Sequence, residues 1–480
     1  MMRNKGTALT LAALMLAGCT LAPRYERPQA PVSDQWPAGP AYAQQETGGA
    51  AAPADLAIKD FFTEPRLVRV IDMALAGNRD LRAAALNVER ARAYYRIARA
   101  ELLPKVNAAG TGYKGRVPAD LSSSGSAMTV EEYNVNLGVT TWEIDLFGRI
   151  RSLKARALEE FLATEAARRG AQILLVSETA GAWLTLAADT ETLELAQSTL
   201  ATRQVARNMV ARRVEVGLAA EIDLHQAQTQ VDEAKSAVAR LTAQVDRDRN
   251  ALNLLAGGPV PEALLPRSLD EMTVIPDVAA GTPSEVLLNR PDIRQAESRL
   301  KAAYANIGAA RAALFPSITL TGSVGTASSE LSGLFDTDSD TWSFAPRISM
   351  PIFDPRTWSA LKVTKVDREI ALAQYEKAIQ AAFREVADTL ASRGTLQEQL
   401  DAQASLVRAA AEICRIAQAR YDAGSMIYLG VLDAQRSLYA ARQGLIAVRL
   451  ADMASRIRLY AVLGGGLDTT QKEGRQPTEK

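Results

Sequence analysis

The sequence predicts a mainly helical, internally duplicated chain in which four β-strands sit among long coiled-coil helices and need partners from other copies in a membrane. Three observations carry that fold class. Two halves of the chain repeat one order of motifs, heptad seams run through both, and four segments alternate apolar with polar side chains.

Composition narrows the alternatives. Among 480 residues, lysine plus arginine and aspartate plus glutamate each number 55, so charge gives no reason to expect a nucleic-acid partner. Alanine supplies much of the apolar content while aromatic residues are only 5%, which suits long helices packed through small side chains. There are two cysteines, Cys19 and Cys414, and one histidine, His225, so a disulfide framework, a Cys-based zinc site or a multi-histidine centre within one chain is not expected. No cofactor is expected, and no acid, base and nucleophile recur with the spacing of an enzyme site.

The chain begins MMRNKGTALTLAALMLAGC, with Arg3 and Lys5 before an apolar run from Ala8 to Leu16. This reads as an export leader, too short to span a bilayer as a helix. Leu16-Ala17-Gly18-Cys19 looks like a bacterial lipoprotein signal, with Cys19 acylated on sulfur (diacylglycerol) and, after cleavage, on its new amino terminus (palmitate). Thr20, standing where lipoproteins kept at the inner membrane usually carry Asp, points to the outer membrane. Two or more acyl chains anchor stably where one does not.

The duplication shows where NRDLRAAALNVERARAYYRIARAELLP, Asn78 to Pro104, matches NRPDIRQAESRLKAAYANIGAARAALFP, Asn289 to Pro316. Farther on, Gly217, Gln228 and Gly257 align with Gly424, Gln435 and Gly464 at a constant offset. Each half then reads helix, strand pair, very long helix, turn, second long helix. In the first half Leu224, Val231, Val238, Val245 and Leu252 recur every seven residues, a coiled-coil seam; the second half keeps the register but places Asp452 in it. From Pro355 to Tyr421 no proline intervenes, and as one helix that stretch would reach roughly 100 Å.

The strands follow the shorter helices. Ile318, Leu320 and Val324 alternate with Thr319, Thr321 and Ser323; Trp342, Phe344 and Ile348 alternate with Ser343 and Arg347; Tyr133, Val135, Leu137 and Val139 alternate with Asn134, Asn136 and Gly138. Residues 105–114 form a weaker fourth strand. Connectors near 115–130 and 325–340 are rich in Ser, Gly and Asp and fit extracellular loops, and no later run of about 18 apolar residues is expected to cross the membrane as a helix. Backbone groups in lipid must all be paired, so an open four-stranded sheet has to oligomerise; closure permits eight strands from two copies or twelve from three.

The expected organisation is therefore a signal peptide over 1–18, a lipidated tether over 19–57, a first repeat over 58–258 with strands 104–115 and 131–146, a collar segment over 259–282, a second repeat over 283–466 with strands 316–326 and 341–352, and a disordered tail over 467–480.

GCTLAPRYERPQAPV, NRDLRAAALNVERARA and RYDAGSMIYLGVLDAQRSL, with the duplicated plan, resemble the TolC-like outer-membrane efflux channels, particularly the lipid-anchored OprM branch, from the leader to about Gly466. The resemblance implies a homotrimer with a 12-stranded barrel in the outer membrane continuing into a 12-helix periplasmic tunnel. It also implies a periplasmic adaptor (membrane fusion) protein and an inner-membrane RND transporter as partners. The chain would be a passive multidrug duct closed at its periplasmic helical tips.

Matching that branch residue by residue puts the gate at Tyr421, Leu429 and Asp433, with Arg436 as a charged partner. A second acidic ring, carried by the non-lipidated branch, has Gly430 as its counterpart here. Protein secretion or heavy-metal export through the same duct, and a lipid-anchored structural coiled coil, are the competing readings. His225 reads as a surface or packing residue, Cys414 as a small buried hydrophobe, and Gly464-Gly465-Gly466 as a helix stop.

Overall fold

A computed structural model describes residues 20–42, 58–271 and 290–465. After a short turn at Ile58–Phe61 the elements are α1 (Pro65–Gly77), α2 (Arg79–Ala100), β1 (Val106–Val117), β2 (Met128–Ile144), α3 (Arg149–Glu215), α4 (Glu221–Ala256), α5 (Pro291–Ala312), β3 (Ser317–Ser328), β4 (Asp340–Ser349), α6 (Pro355–Asp422) and α7 (Tyr428–Val462). The expected order of motifs therefore appears twice. The two halves also end their long helices identically: Gly217, Gly257, Gly424 and Gly464 all take positive φ, between 72° and 99°. In each case the glycine and the residue after it donate to carbonyls three and five places back, which satisfies two helix-end acceptors.

The chain divides into two compact units. The first comprises 1–29, 87–165 and 295–376 and contains the sheet, an antiparallel meander in the order β1-β2-β3-β4. Register sorts its side chains: Ala108, Leu137, Val324 and Trp342 stand in one row, and Asn107, Gly138, Ser323 and Ser343 in the next. One face is thus apolar and the other polar, and on the apolar face Trp342 is 80% exposed.

Between Val139 and Trp142 the register of β2 against β3 shifts by one residue, with Thr141 at φ 56°. The bulge puts Trp142 and Ile144 on the same face as Leu137 despite their opposite parity. The strand bounds differ slightly from those expected. Pro104 lacks a ladder N–H, so β1 starts at Val106; Pro351 likewise follows the end of β4 at Ser349.

Residues 20–29 also belong to this unit and are not a loose tether. Arg27 makes three hydrogen bonds of 2.9–3.1 Å to the Glu297 carboxylate, and Tyr25 donates to the same group at 3.0 Å. Closer to the leader, Arg311 donates to the Leu21 carbonyl at 3.0 Å.

The second unit comprises 30–86, 166–294 and 377–480. Its core gathers Phe61, Phe62, Leu67, Trp183, Leu252 and Tyr460, with the Phe61 and Tyr460 rings stacked at 4.2 Å. Trp183 is fully buried and donates its indole N–H to the Leu264 carbonyl at 3.0 Å. Burying one such large side chain is worth about 2 kcal/mol. Of the expected seam of α4, Val231, Val245 and Leu252 are buried, while Leu224 and Val238 are half-buried. In α7, Asp452 is held by Arg456 at 3.1 Å, which accounts for a charge at a seam position.

One helix, α3, is long and apolar enough over an 18-residue window to cross a membrane by length and composition, and half of that window is buried. Leu175, Val176, Ala180, Trp183 and Leu184 fall in this part of α3 and belong to the unit's interior, so the apolar character serves packing. The expected signal peptide over 1–18, residues 43–57 of the tether, 272–282 of the collar segment, 283–289 and 466 of the second repeat, and the tail over 467–480 lie outside the described residues.

Candidate functional site

The residues singled out for a gate lie where α6 turns into α7, within the second unit. Tyr421 is the penultimate residue of α6, and its ring meets that of Tyr428 at 5.2 Å, tilted by 50°. Arg213, near the end of α3, covers the Tyr421 ring with its guanidinium at 4.9 Å, a cation–π contact. Tyr428 packs among Val210, Ala227, Ala417, Val431 and Leu432, and burial pushes its hydroxyl pKa up.

Leu429 stays outside that cluster and is 43% exposed. One turn on, Asp433 and Arg436 approach at 3.8 Å, and Arg436 also stands 3.9 Å from Glu233 on α4. Glu233 is in turn 4.0 Å from Arg203 of α3. The result is a chain of alternating charges joining three helices, with a cavity of about 210 Å³ beside Arg203, Glu233, Arg436 and Tyr439. Burial pushes the Arg203 pKa down, while the Gln230 carbonyl accepts from it at 3.0 Å.

Sequence reading missed Arg203, Arg213 and Glu233. None stands at a heptad seam or in the tip motif, and only the three-dimensional crossing of helices brings them to Tyr421 and Arg436. His225 is exposed near the start of α4, and Cys414 is half-buried beside the tip cluster, where burial raises its thiol pKa. Among the described residues no group of acidic, histidine or cysteine side chains could hold a metal. Cys19 lies outside the described residues.

Known proteins share this plan. The family profile described as "Outer membrane efflux protein" matches residues 70–258 and 282–465. The solvent efflux pump outer membrane protein SrpC of Pseudomonas putida is 47% identical over 461 residues, covering 96% of this chain and 98% of that protein. The antibiotic efflux pump outer membrane protein ArpC of the same species is 45% identical over 461 residues, covering 96% and 95%. Among solved structures, the open state of the Neisseria gonorrhoeae MtrE outer membrane channel superposes with a TM-score of 0.84 at 39% identity, covering 93% of this chain and 98% of that one.

Proposed function

This chain belongs to the outer membrane efflux protein family, and from that membership we infer that it is the outer-membrane duct of a tripartite multidrug pump. One observation carries the reading: the sheet has an apolar face, a polar face and two unpaired edges, β1 and β4. Lipid tolerates no unpaired strand edge, so β4 of one copy joins β1 of the next, antiparallel like every other pairing in the sheet. Closure alone admits two copies or three; the family resemblance supports three, giving a twelve-stranded barrel with Trp342 and Leu137 toward lipid and Asn136 and Ser323 toward the lumen. The long helices then continue into the periplasm as a tunnel.

A duct of this kind carries no motor. Its partners are a periplasmic adaptor docking near the helical tips and an inner-membrane RND transporter that supplies the energy. Solvents and antibiotics, the cargo classes in the names of the Pseudomonas putida relatives, are the expected substrates. Tyr421, Leu429, Asp433 and Arg436 form the periplasmic gate, Leu429 as an apolar constriction that impedes ions by dewetting. Acyl chains on Cys19 hold the protein to the outer membrane.

The test is assembly and conduction together. Protein extracted in detergent is expected to have the mass of three chains and to open ion-conducting pores in planar bilayers. A soluble, non-conducting monomer would overturn the reading.

A further inference from the structure

The register of the sheet decides which charges stand on its polar face, and there the described strands carry three: Glu132, Glu143 and Arg347. They are unevenly placed. Glu132 lies opposite Tyr113, toward the connector between β1 and β2, whereas Glu143, Thr319 and Arg347 form one row at the end where the helices attach. Both oxygens of Glu143 are taken by Arg149, at 2.9 and 2.6 Å, and Asp145, just past β2, is paired with Arg151 at 3.2 Å. Arg347 is exposed, and two strand spacings, about 10 Å, separate it from the Glu143 backbone. It makes no ion pair among the described residues. Neither does Lys105, an exposed residue one place before β1 that alternation puts on the same face.

In a closed barrel of twelve strands, spaced about 4.8 Å and tilted about 40°, the backbone runs roughly 12 Å from the axis. Inward-pointing Arg347 side chains from three copies then come within a Debye length of that axis, about 10 Å at 0.1 M salt, so their fields overlap there. With β4 of one copy beside β1 of the next, Lys105 adds a second cation on the strand adjoining Arg347. A guanidinium pairs with a carboxylate or sulfonate through two parallel N–H bonds, and no carboxylate of the wall offers Arg347 that pairing. We propose that Arg347 and Lys105 of three copies form a basic collar at the periplasmic end of the barrel lumen, which binds organic anions, carboxylates and sulfonates carried on an apolar body. The collar rests on the channel reading and deepens it by naming a class of cargo that the duct itself attracts where it enters the membrane.

Titration of pyrene-1,3,6,8-tetrasulfonate, a rigid fluorescent anion, into the full-length protein in detergent, followed by anisotropy, tests the proposal. The dye can enter from the outer mouth, so a closed gate does not matter. A collar around the axis predicts saturation at one dye per three chains, which a patch on the outside of each chain does not. Affinity is expected to fall at least tenfold in Arg347→Gln and at least threefold in Lys105→Gln, and to be kept in Arg347→Lys. Glu132→Gln should change it by less than twofold, because its row stands about 25 Å away along the barrel axis, beyond the reach of its charge. No saturable binding, one dye per chain, undiminished affinity in Arg347→Gln, or a larger effect of Glu132→Gln would each overturn the proposal. If Arg347→Gln fails to assemble, the stoichiometry and Lys105→Gln decide in its place. The mass of the detergent particle separates the two readings: a monomer refutes the channel, whereas a trimer that ignores the dye refutes only the collar.

Discussion

The Asp433 carboxylate and the Arg436 guanidinium stand 3.8 Å apart on one face of α7, both substantially exposed, with side chains 67% and 49% accessible. Contacts so open contribute little to the stability of a single chain. A role at an axis shared with other copies should therefore appear in conduction and not in folding. Asp433→Ala and Arg436→Ala are each expected to raise single-channel conductance in planar bilayers while moving the thermal midpoint by no more than about 0.5 kcal/mol equivalent. Unchanged conductance in both would remove the pair from the gate.

Asp248 on α4 lies beside Asp189 of α3, and burial, reinforced by that second carboxyl group, pushes its pKa up to about 6. A carboxyl group whose folded pKa exceeds its unfolded one stabilises the fold only while protonated. Its contribution is complete below about pH 4, the unfolded value, and is lost as pH rises through 6. Asp248→Asn should therefore unfold at a higher temperature than the parent at pH 7.5, with the difference shrinking toward pH 4. Scans at the two pH values check this, and a constant difference would contradict it.

Gly257 ends α4 at φ 76°, and a Cβ there would stand 2.2 Å from the Gly77 carbonyl oxygen. The obstacle is backbone, which cannot swing aside, and positive φ itself strains an L-residue by about 1–2 kcal/mol. Gly257→Ala is expected to destabilise the fold by about 3 kcal/mol or more, read as a fall in thermal midpoint. Gly217→Ala is the control. Its φ of 75° carries the same backbone strain with nothing nearby to strike, so a smaller loss is expected.

The proposed acylation at Cys19 makes its own prediction. Cys19→Ala should abolish incorporation of radiolabelled palmitate, and the variant should still assemble, since the sheet edges and not the acyl chains drive closure. Palmitate label retained in Cys19→Ala would refute the assignment.

Much of this architecture was legible because it repeats. Periodicity found the seam of α4, the proline-free stretch found α6, and alternation found four strands to within a few residues. The bulge at Val139–Trp142 was not legible: nothing in Thr140-Thr141 marks an extra residue, and only pairing with Leu320 and Gly322 exposes it. The tip motif located Tyr421, Asp433 and Arg436, yet their neighbours Arg203, Arg213 and Glu233 come from helices distant in sequence.

The bond from Arg311 to the Leu21 carbonyl reaches beyond local packing. Two residues of chain span at most about 7 Å, so fatty acids on Cys19 would begin within that distance of a fixed point. If Cys19 is acylated as proposed, such an attachment would work as a depth gauge more than as a leash: it would index how far the molecule rides into the inner leaflet, and lengthening the segment before Leu21 should blunt that setting without releasing the protein.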